Sequence, residues 1–361
     1  MSGAISGAGY PALGQLVSGL VQTNKSFNTL TEQASSGLIS QTYAGLGFTA
    51  PAALSLAPQI DNLQVSQNNI GAASGPAQLT QTAMTQIQSI AANLLSEMPS
   101  LDGLNPAEVD TVAASARSDL ATVADLLDSQ YNGVYVFAGQ DTSNPPVPNP
   151  DQITSSGFFT QISAAVGNLS TNGASATAAA TLAVASSGVA GTSPFSATYL
   201  AQAPTGLTPP LVSTGDGLSQ PLGLLANTNI GPISTGTSTT GSYMLDLMRA
   251  LATVGSLGSS QVSDPNFAPL ISDTQTSVTG AISSMATDVG ILGEQQASLT
   301  TLSATLSDAS TALTTQLSSA QDVDMAATLS NLTLTQTQLQ ESYQLIAAAS
   351  GMSLAKFLPV S

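Results

Sequence analysis

DVDMAATLSNLTLTQTQLQESYQLIAAASGMSLAKFL, residues 322–358, decides the architecture. Within it Met325, Leu329, Leu332, Gln336, Leu339, Tyr343, Ile346 and Ser350 step by four and three in alternation. That spacing draws one narrow apolar seam, with polar interruptions, along a single helix. A seam so narrow buries little in isolation, so the helix needs a partner in its own chain or in a neighbour. The other end of the chain offers one. Leu13, Leu16, Leu20, Thr23, Phe27, Leu30 and Ala34 keep the same rhythm and stop at Ser35-Ser36-Gly37, where glycine ends a helix. Two such helices can zip over about 35 Å at 1.5 Å per residue, and everything between them must go out and return.

Inward from the first seam, residues 38–54 mix glycine, aromatics and Pro51 without a helical period and read as a loop with a short extended piece. Helical spacing resumes with Leu56, Ile60, Leu63, Ile70, Ala77, Met84, Ile87, Ile90 and Leu94, a helix that Gly71, Gly75 and Pro76 can kink or split and that Met98-Pro99 ends. Asn105-Pro106 then reads as an N-cap and first helical position, followed by Val109, Val112, Ala116, Leu120, Val123 and Leu127. Asn132-Gly133 before alternating Val134, Val136 and Ala138 reads as a turn and a short strand. From Pro145 to Gly241 the texture turns to Pro, Gly, Ser, Thr and Ala, with Phe158, Phe159, Phe195 and Tyr199 as anchors. A β-rich or irregular insertion is expected there; disorder is its rival, although disordered segments usually carry more charge. After a short helix at Tyr243–Leu251, the longest seam runs through Ile282, Met285, Val289, Leu292, Gln296, Leu299, Ser303, Leu306, Ser310, Leu313 and Leu317. Near Ala320 its register slips into that of the last helix, which marks a joint.

Composition agrees with rods and bundles. Only 7% of the 361 residues are charged and 4% aromatic, while 42% are hydrophobic, so burial comes from many small aliphatic contacts. A net charge of -17, with Lys25, Arg117, Arg249 and Lys356 the four basic residues, disfavours nucleic acid and anionic membranes. No stretch approaches the roughly 20 apolar residues of a membrane span. The N-terminus lacks the basic and apolar regions of a cleaved secretion signal. Without His or Cys, metal and nucleophile chemistry would rest on carboxylates and lysines. The close acidic pair Asp322 and Asp324 reads as favourable charge at a helix start rather than a metal site. No catalytic, cofactor or metal residue is assigned. Gln296, Ser303, Ser310 and Gln336 interrupt the seams, either to fix register and partner number or because they face solvent in a larger bundle.

These residues carry a resemblance. The run ending LTQTQLQESYQLIAAASGMSLAKFL resembles the C-terminal helix of the bacterial flagellin superfamily, and LTEQASSGL at Leu30–Leu38 resembles the turn closing that family's first helix. QYNGVYVFAGQDTSNPPV, Gln130 to Val147, is most similar to the branch found at the hook-filament junction, the third hook-associated proteins. One departure is plain: where relatives follow their SSG turn with basic residues and aspartates, ISQTYAGLGFTAPAALSL carries no charge.

The resemblance implies a non-enzymatic structural subunit without cofactors. It implies mainly α architecture: terminal helices paired as a coiled coil, an inner helical bundle and an inserted middle domain. Residues 1–45 would form the N-terminal coiled-coil helix and turn, 46–144 and 242–317 the two halves of the inner domain, 145–241 the variable outer domain, and 318–361 the C-terminal helix. Seam residues Leu13, Leu16, Leu20, Phe27, Leu30, Met325, Leu329, Leu332, Gln336, Leu339, Tyr343 and Ile346 would serve subunit packing. Implied partners are further copies in a ring or tube, flagellin and another hook-associated protein, and a cytoplasmic export chaperone on the last helix. Export would use the flagellar type III pathway, placing the protein outside the cell. Bulk filament flagellin is the alternative within the family, and a secreted adhesin or surface protein the alternative outside it. The scarcity of titrating side chains further predicts contacts that survive acid.

Overall fold

The computed structural model describes residues 9–101, 106–202, 208–215, 217–231 and 238–355; side chains at 9–13 and 349–355 lie outside that description. Two compact units emerge, one from residues Met1–Gln64 with Ser307–Ser361, the other from Val65–Leu306. The mainly α expectation holds.

The first unit is built on α1 (Gly9–Ser36) and α10 (Met325–Ala355), which pack together. Its turn is organised by Gly37, whose φ of +75° ends α1 in the left-handed conformation glycine favours, while its N–H bonds Gln33 O at 2.8 Å. Beyond it, residues 43–49 are a 3-10 turn rather than a loop with extended structure, and helix α2 (Ala50–Leu101) begins at once. Asp322–Asp324 separates α10 from α9 (Phe267–Gln321), at the register slip seen in the sequence.

The second unit gathers the inner stretches of α2 and α9 with α3 (Pro106–Leu127) and α8 (Tyr243–Gly255) around one core, from Ile70, Met84 and Leu94 to Leu247, Met285 and Leu299. Helix α2 is helical from end to end: neither Gly71, Gly75 nor Pro76 splits it, and it passes Pro99 to Leu101. An interior proline costs about 3 kcal/mol. Here Ile70, Ala77, Thr80 and Met84 are buried on both sides of Pro76, and their packing outweighs that cost. Asn105 lies outside the described residues, and α3 starts at Pro106 as the sequence suggests.

The middle of the chain is more helical than its composition indicates. It holds α4 (Gly157–Gly167), the short α5 (Leu169–Asn172), α6 (Ala174–Ala185) and α7 (Ala197–Gln202), with irregular connections. Among the described residues its strands pair as one antiparallel hairpin, Leu211–Gly215 with Leu218–Pro221. Helices α4 and α6 pack on α8, so this region shares the core of the second unit. All four sequence anchors are buried, and the Phe195 and Tyr199 rings sit 5.3 Å apart. Periodicity missed α6 because its ASATAAATLAVA run offers no contrast between faces, although Thr177, Ala178, Thr181 and Ala185 form a buried stripe.

Candidate functional site

The candidate surface is the pair of terminal helices, and their joining corner fixes its geometry. Leu38 bridges Asp322 in antiparallel fashion, with Ile39 N–H donating to Gln321 O at 2.7 Å and Val323 N–H to Gly37 O at 3.0 Å. Gln33 Nε2 donates to Ile39 O at 2.9 Å, and Ser36 Oγ accepts the Leu38 N–H at 3.2 Å. Helix α10 therefore returns antiparallel along α1. Asp324 caps it, its carboxylate accepting the Ala327 N–H at 3.1 Å, so this member of the acidic pair does helix-start work.

Along α1, Leu20, Thr23, Phe27, Leu30 and Ala34 are half-buried in the expected rhythm, whereas Leu16 is exposed and the Leu13 side chain lies outside the described residues. On α10 the stripe turned inward is Thr328, Leu332, Thr335, Leu339, Ser342 and Ile346. It shares Leu332, Leu339 and Ile346 with the sequence seam. The alternate steps differ by one residue: Met325, Leu329, Gln336 and Tyr343 are exposed, and Thr328, Thr335 and Ser342 take their place. Small hydroxyl side chains thus take inward positions, and the larger side chains one position on are left exposed.

Consequently the pair keeps apolar surface on its flanks. Leu329, Leu334, Tyr343 and Leu345 on α10 are about half exposed, as are Val17 and Val21 on α1. Two grooves follow these flanks. One of about 450 Å³ runs past Ser26, Leu30, Leu334 and Thr335; the other, of about 530 Å³, runs past Leu20, Val21, Asn28 and Tyr343. Lys25 lines both. Such surface suits packing against other helices.

A second feature lies in the other unit. Strands β1 (Gln130–Tyr131) and β2 (Val134–Tyr135) pair across Asn132 and Gly133, whose φ values of 51° and 81° make the left-handed two-residue turn that Asn-Gly favours. The strand is shorter than the alternation suggests. Val136, Phe137 and Ala138 are all buried in succession, and Phe137 O accepts the Ala226 N–H at 3.2 Å instead of continuing a ladder. Asp128, at the end of α3, accepts the Val147 N–H at 2.9 Å. Burial pushes its carboxyl up to about 6, the Val147 bond pulling against this and Asp125 adding to it. The segment is thus a clasp, pinned to the end of α3 and to Ala226.

Of the polar seam residues, Gln296 is half-buried and donates to Ala77 O at 3.2 Å, and Ser303 and Ser310 are also half-buried. Gln336 is exposed. Among the described residues no group of three His, Cys, Asp or Glu side chains could hold a metal ion. No described helix is long and apolar enough to cross a membrane.

Comparison with known proteins covers both parts. A family model described as the bacterial flagellin N-terminal helical region matches residues 12–142, and one for the bacterial flagellin C-terminal helical region matches residues 276–358, together more than half the chain. No curated protein matches. Among solved structures, one from Vibrio parahaemolyticus, presented as a flagellar hook-associated protein, superposes with a TM-score of 0.50 at 9% identity, covering 78% of this chain and 99% of its own. At that identity the likeness is one of fold.

Proposed function

We propose, from the premise that this chain belongs to the flagellin superfamily, that it forms the adaptor between hook and filament, several copies making a short ring. That family is structural, which makes the chain a structural subunit of the flagellum. The observation carrying the finer reading is the clasp at 130–147. Its NGVYVFAG turn and buried Phe137 belong to the one segment that resembles the junction branch rather than the filament protein, and Asp128, just before it, accepts the N–H of its last residue, Val147. The hook-associated protein of similar fold is compatible with this reading.

The physical case for assembly rests on the terminal helices. Their mutual seam alternates small hydroxyl residues with Leu332, Leu339 and Ile346, and Leu329, Leu334, Tyr343 and Leu345 are left for other copies. Before assembly the same surface invites aggregation, so an export chaperone on the last helix has a physical purpose. Export through the flagellar type III apparatus and neighbours such as flagellin and a second hook-associated protein complete the proposal. Electron microscopy of a deletion strain tests it: hooks without filaments, with filament protein lost to the medium, is the expected result. Full-length filaments on that strain would overturn it.

A second reading, the bulk filament subunit, draws on the family models, both described for flagellin. Copy number per flagellum, by quantitative mass spectrometry, separates a ring from a filament.

A further inference from the structure

We propose that Phe48 is a self-assembly knob that seats in the groove beside Tyr343 of a second copy of this chain. Among the described residues the other phenylalanines are spent on interiors: Phe137, Phe158, Phe159, Phe195 and Phe267 are buried and Phe27 half-buried, but Phe48 is 96% exposed. Its exposure is imposed by the backbone. Gly47, at φ 62° and ψ -123°, reverses the turn between buried Leu46 and Thr49, and Thr49 Oγ1 is tied to Leu46 O at 3.1 Å and Ala320 O at 2.9 Å. Gly45 N–H bonds Thr42 O at 3.0 Å, and a Cβ on Gly45 would meet Ser40 Oγ at 2.1 Å, so the turn is held tightly. The ring is presented on a fixed support.

Charge fits a second copy of this chain as the occupant. Two copies each carrying a net charge of -17 repel, so a contact between them is favoured where acidic residues are sparse. No charged residue occurs between Glu32 and Asp61, and Phe48 lies within that interval with half-exposed Tyr43 and exposed Leu54. The receiving groove, about 530 Å³, offers Leu20, Val21 and the Tyr343 ring, with one cation, Lys25, and one carboxylate, Glu32, also in its lining. It has room for a phenyl ring, and an aromatic partner to meet it.

Geometry sets the kind of contact. The groove extends along α1 from Glu32 to Leu20, about 18 Å at 1.5 Å per residue, and Phe48 is not part of its lining. A knob and a groove on different parts of one surface make a head-to-tail contact, which closes into a ring or continues as a helix. Phe48 against Phe48 would instead close a two-fold dimer. The proposal rests on the reading of the chain as an assembling subunit.

The test uses the purified full chain. Because the sequence contains no cysteine, Phe48→Cys and Asn28→Cys variants mixed under mild oxidation report their own pairing alone. We expect a disulfide between the two different variants. Phe48→Ala, with an unchanged thermal melt, is expected to raise the concentration for half-assembly roughly tenfold or more, and Phe48→Tyr to retain most assembly. Assembly of Phe48→Ala equal to the parent, or disulfides formed only between Phe48→Cys copies, overturns the contact while leaving the subunit reading intact. A parent chain that stays monomeric at every concentration overturns both.

Discussion

The Asp128 carboxylate accepts the Val147 backbone N–H at 2.9 Å, joining the end of α3 to the chain nineteen residues further on. The bond closes the clasp around Phe137, yet it holds the carboxyl in surroundings that disfavour its charge: burial raises it from 3.8 to about 6, and Asp125 adds to the rise. Geometry and ionisation therefore pull in opposite directions.

Stability should consequently fall as pH rises through that interval. The folded state binds the Asp128 proton more tightly than the unfolded one, so its contribution is complete below the ordinary value of 3.8 and lost as pH passes about 6. Glu97, raised by burial and by Asp119, and Asp119, raised by burial, act with the same sign. Thermal melts from about pH 4 to about pH 6.5 should show the parent losing stability and Asp128→Asn, whose amide oxygen can still accept from Val147, losing less. Parallel curves for the two would remove Asp128 as the cause.

Substitutions on α10 should separate its inner stripe from its flank. Leu339 is 7% exposed and faces α1, so Leu339→Ala is expected to cost about 2–3 kcal/mol in chemical denaturation. Tyr343 is 53% exposed, and Tyr343→Ala should stay within about 0.5 kcal/mol of the parent while weakening assembly. Equal costs for the two would mean that the seam runs where the heptad count first drew it.

That difference shows what could be read from residues alone. Leu332, Leu339 and Ile346 were legible because a large apolar side chain occupies each contact. Thr328, Thr335 and Ser342 were not, because a count of apolar residues passes over small hydroxyl side chains even where they are turned inward. In α9 every seam position from Ile282 to Leu317 is buried or half-buried, and there the count and the packing coincide. Helix α6 escaped for the opposite reason, since a run of alanine is apolar on all sides. Phe48 was visible as an aromatic in a loop, but its exposure depends on the 3-10 turn that Gly47 permits.

A glycine in the middle of the chain offers a sharper test of packing. A Cβ on Gly157 would lie 2.0 Å from the carbonyl oxygen of Gly191, a backbone atom that cannot swing aside. Gly157→Ala should therefore destabilise by about 1–3 kcal/mol, the usual range for overpacking, and displace the loop around Gly191. Gly167→Ala, in the same helix with nothing within 4 Å of its added methyl, is the control and should be neutral or slightly stabilising. Matching melts for the two variants would show that the loop yields at no cost.

Arg249 poses the last question, because a chain with so few cations buries one at 3% exposure. Its Nη2 donates to Ser238 O at 2.6 Å and Ser277 Oγ at 2.8 Å, and while burial works against its charge, Asp246 and Asp273 support it. Asp246 is itself 2% exposed and is held by Thr239 Oγ1 and by the Thr240 N–H at 2.8 Å. Removing the cation leaves these carboxylates without a counter-charge. Arg249→Ala should thus cost about 3–5 kcal/mol, more than the loss of two hydrogen bonds would explain. Arg249→Met fills the volume but not the charge, and adding Asp246→Asn to it should recover part of the loss, giving a coupling of about 1–3 kcal/mol in a double-mutant cycle. Strict additivity of the two changes would show that Arg249 contributes hydrogen bonds and bulk, and that its charge plays no part in holding α8.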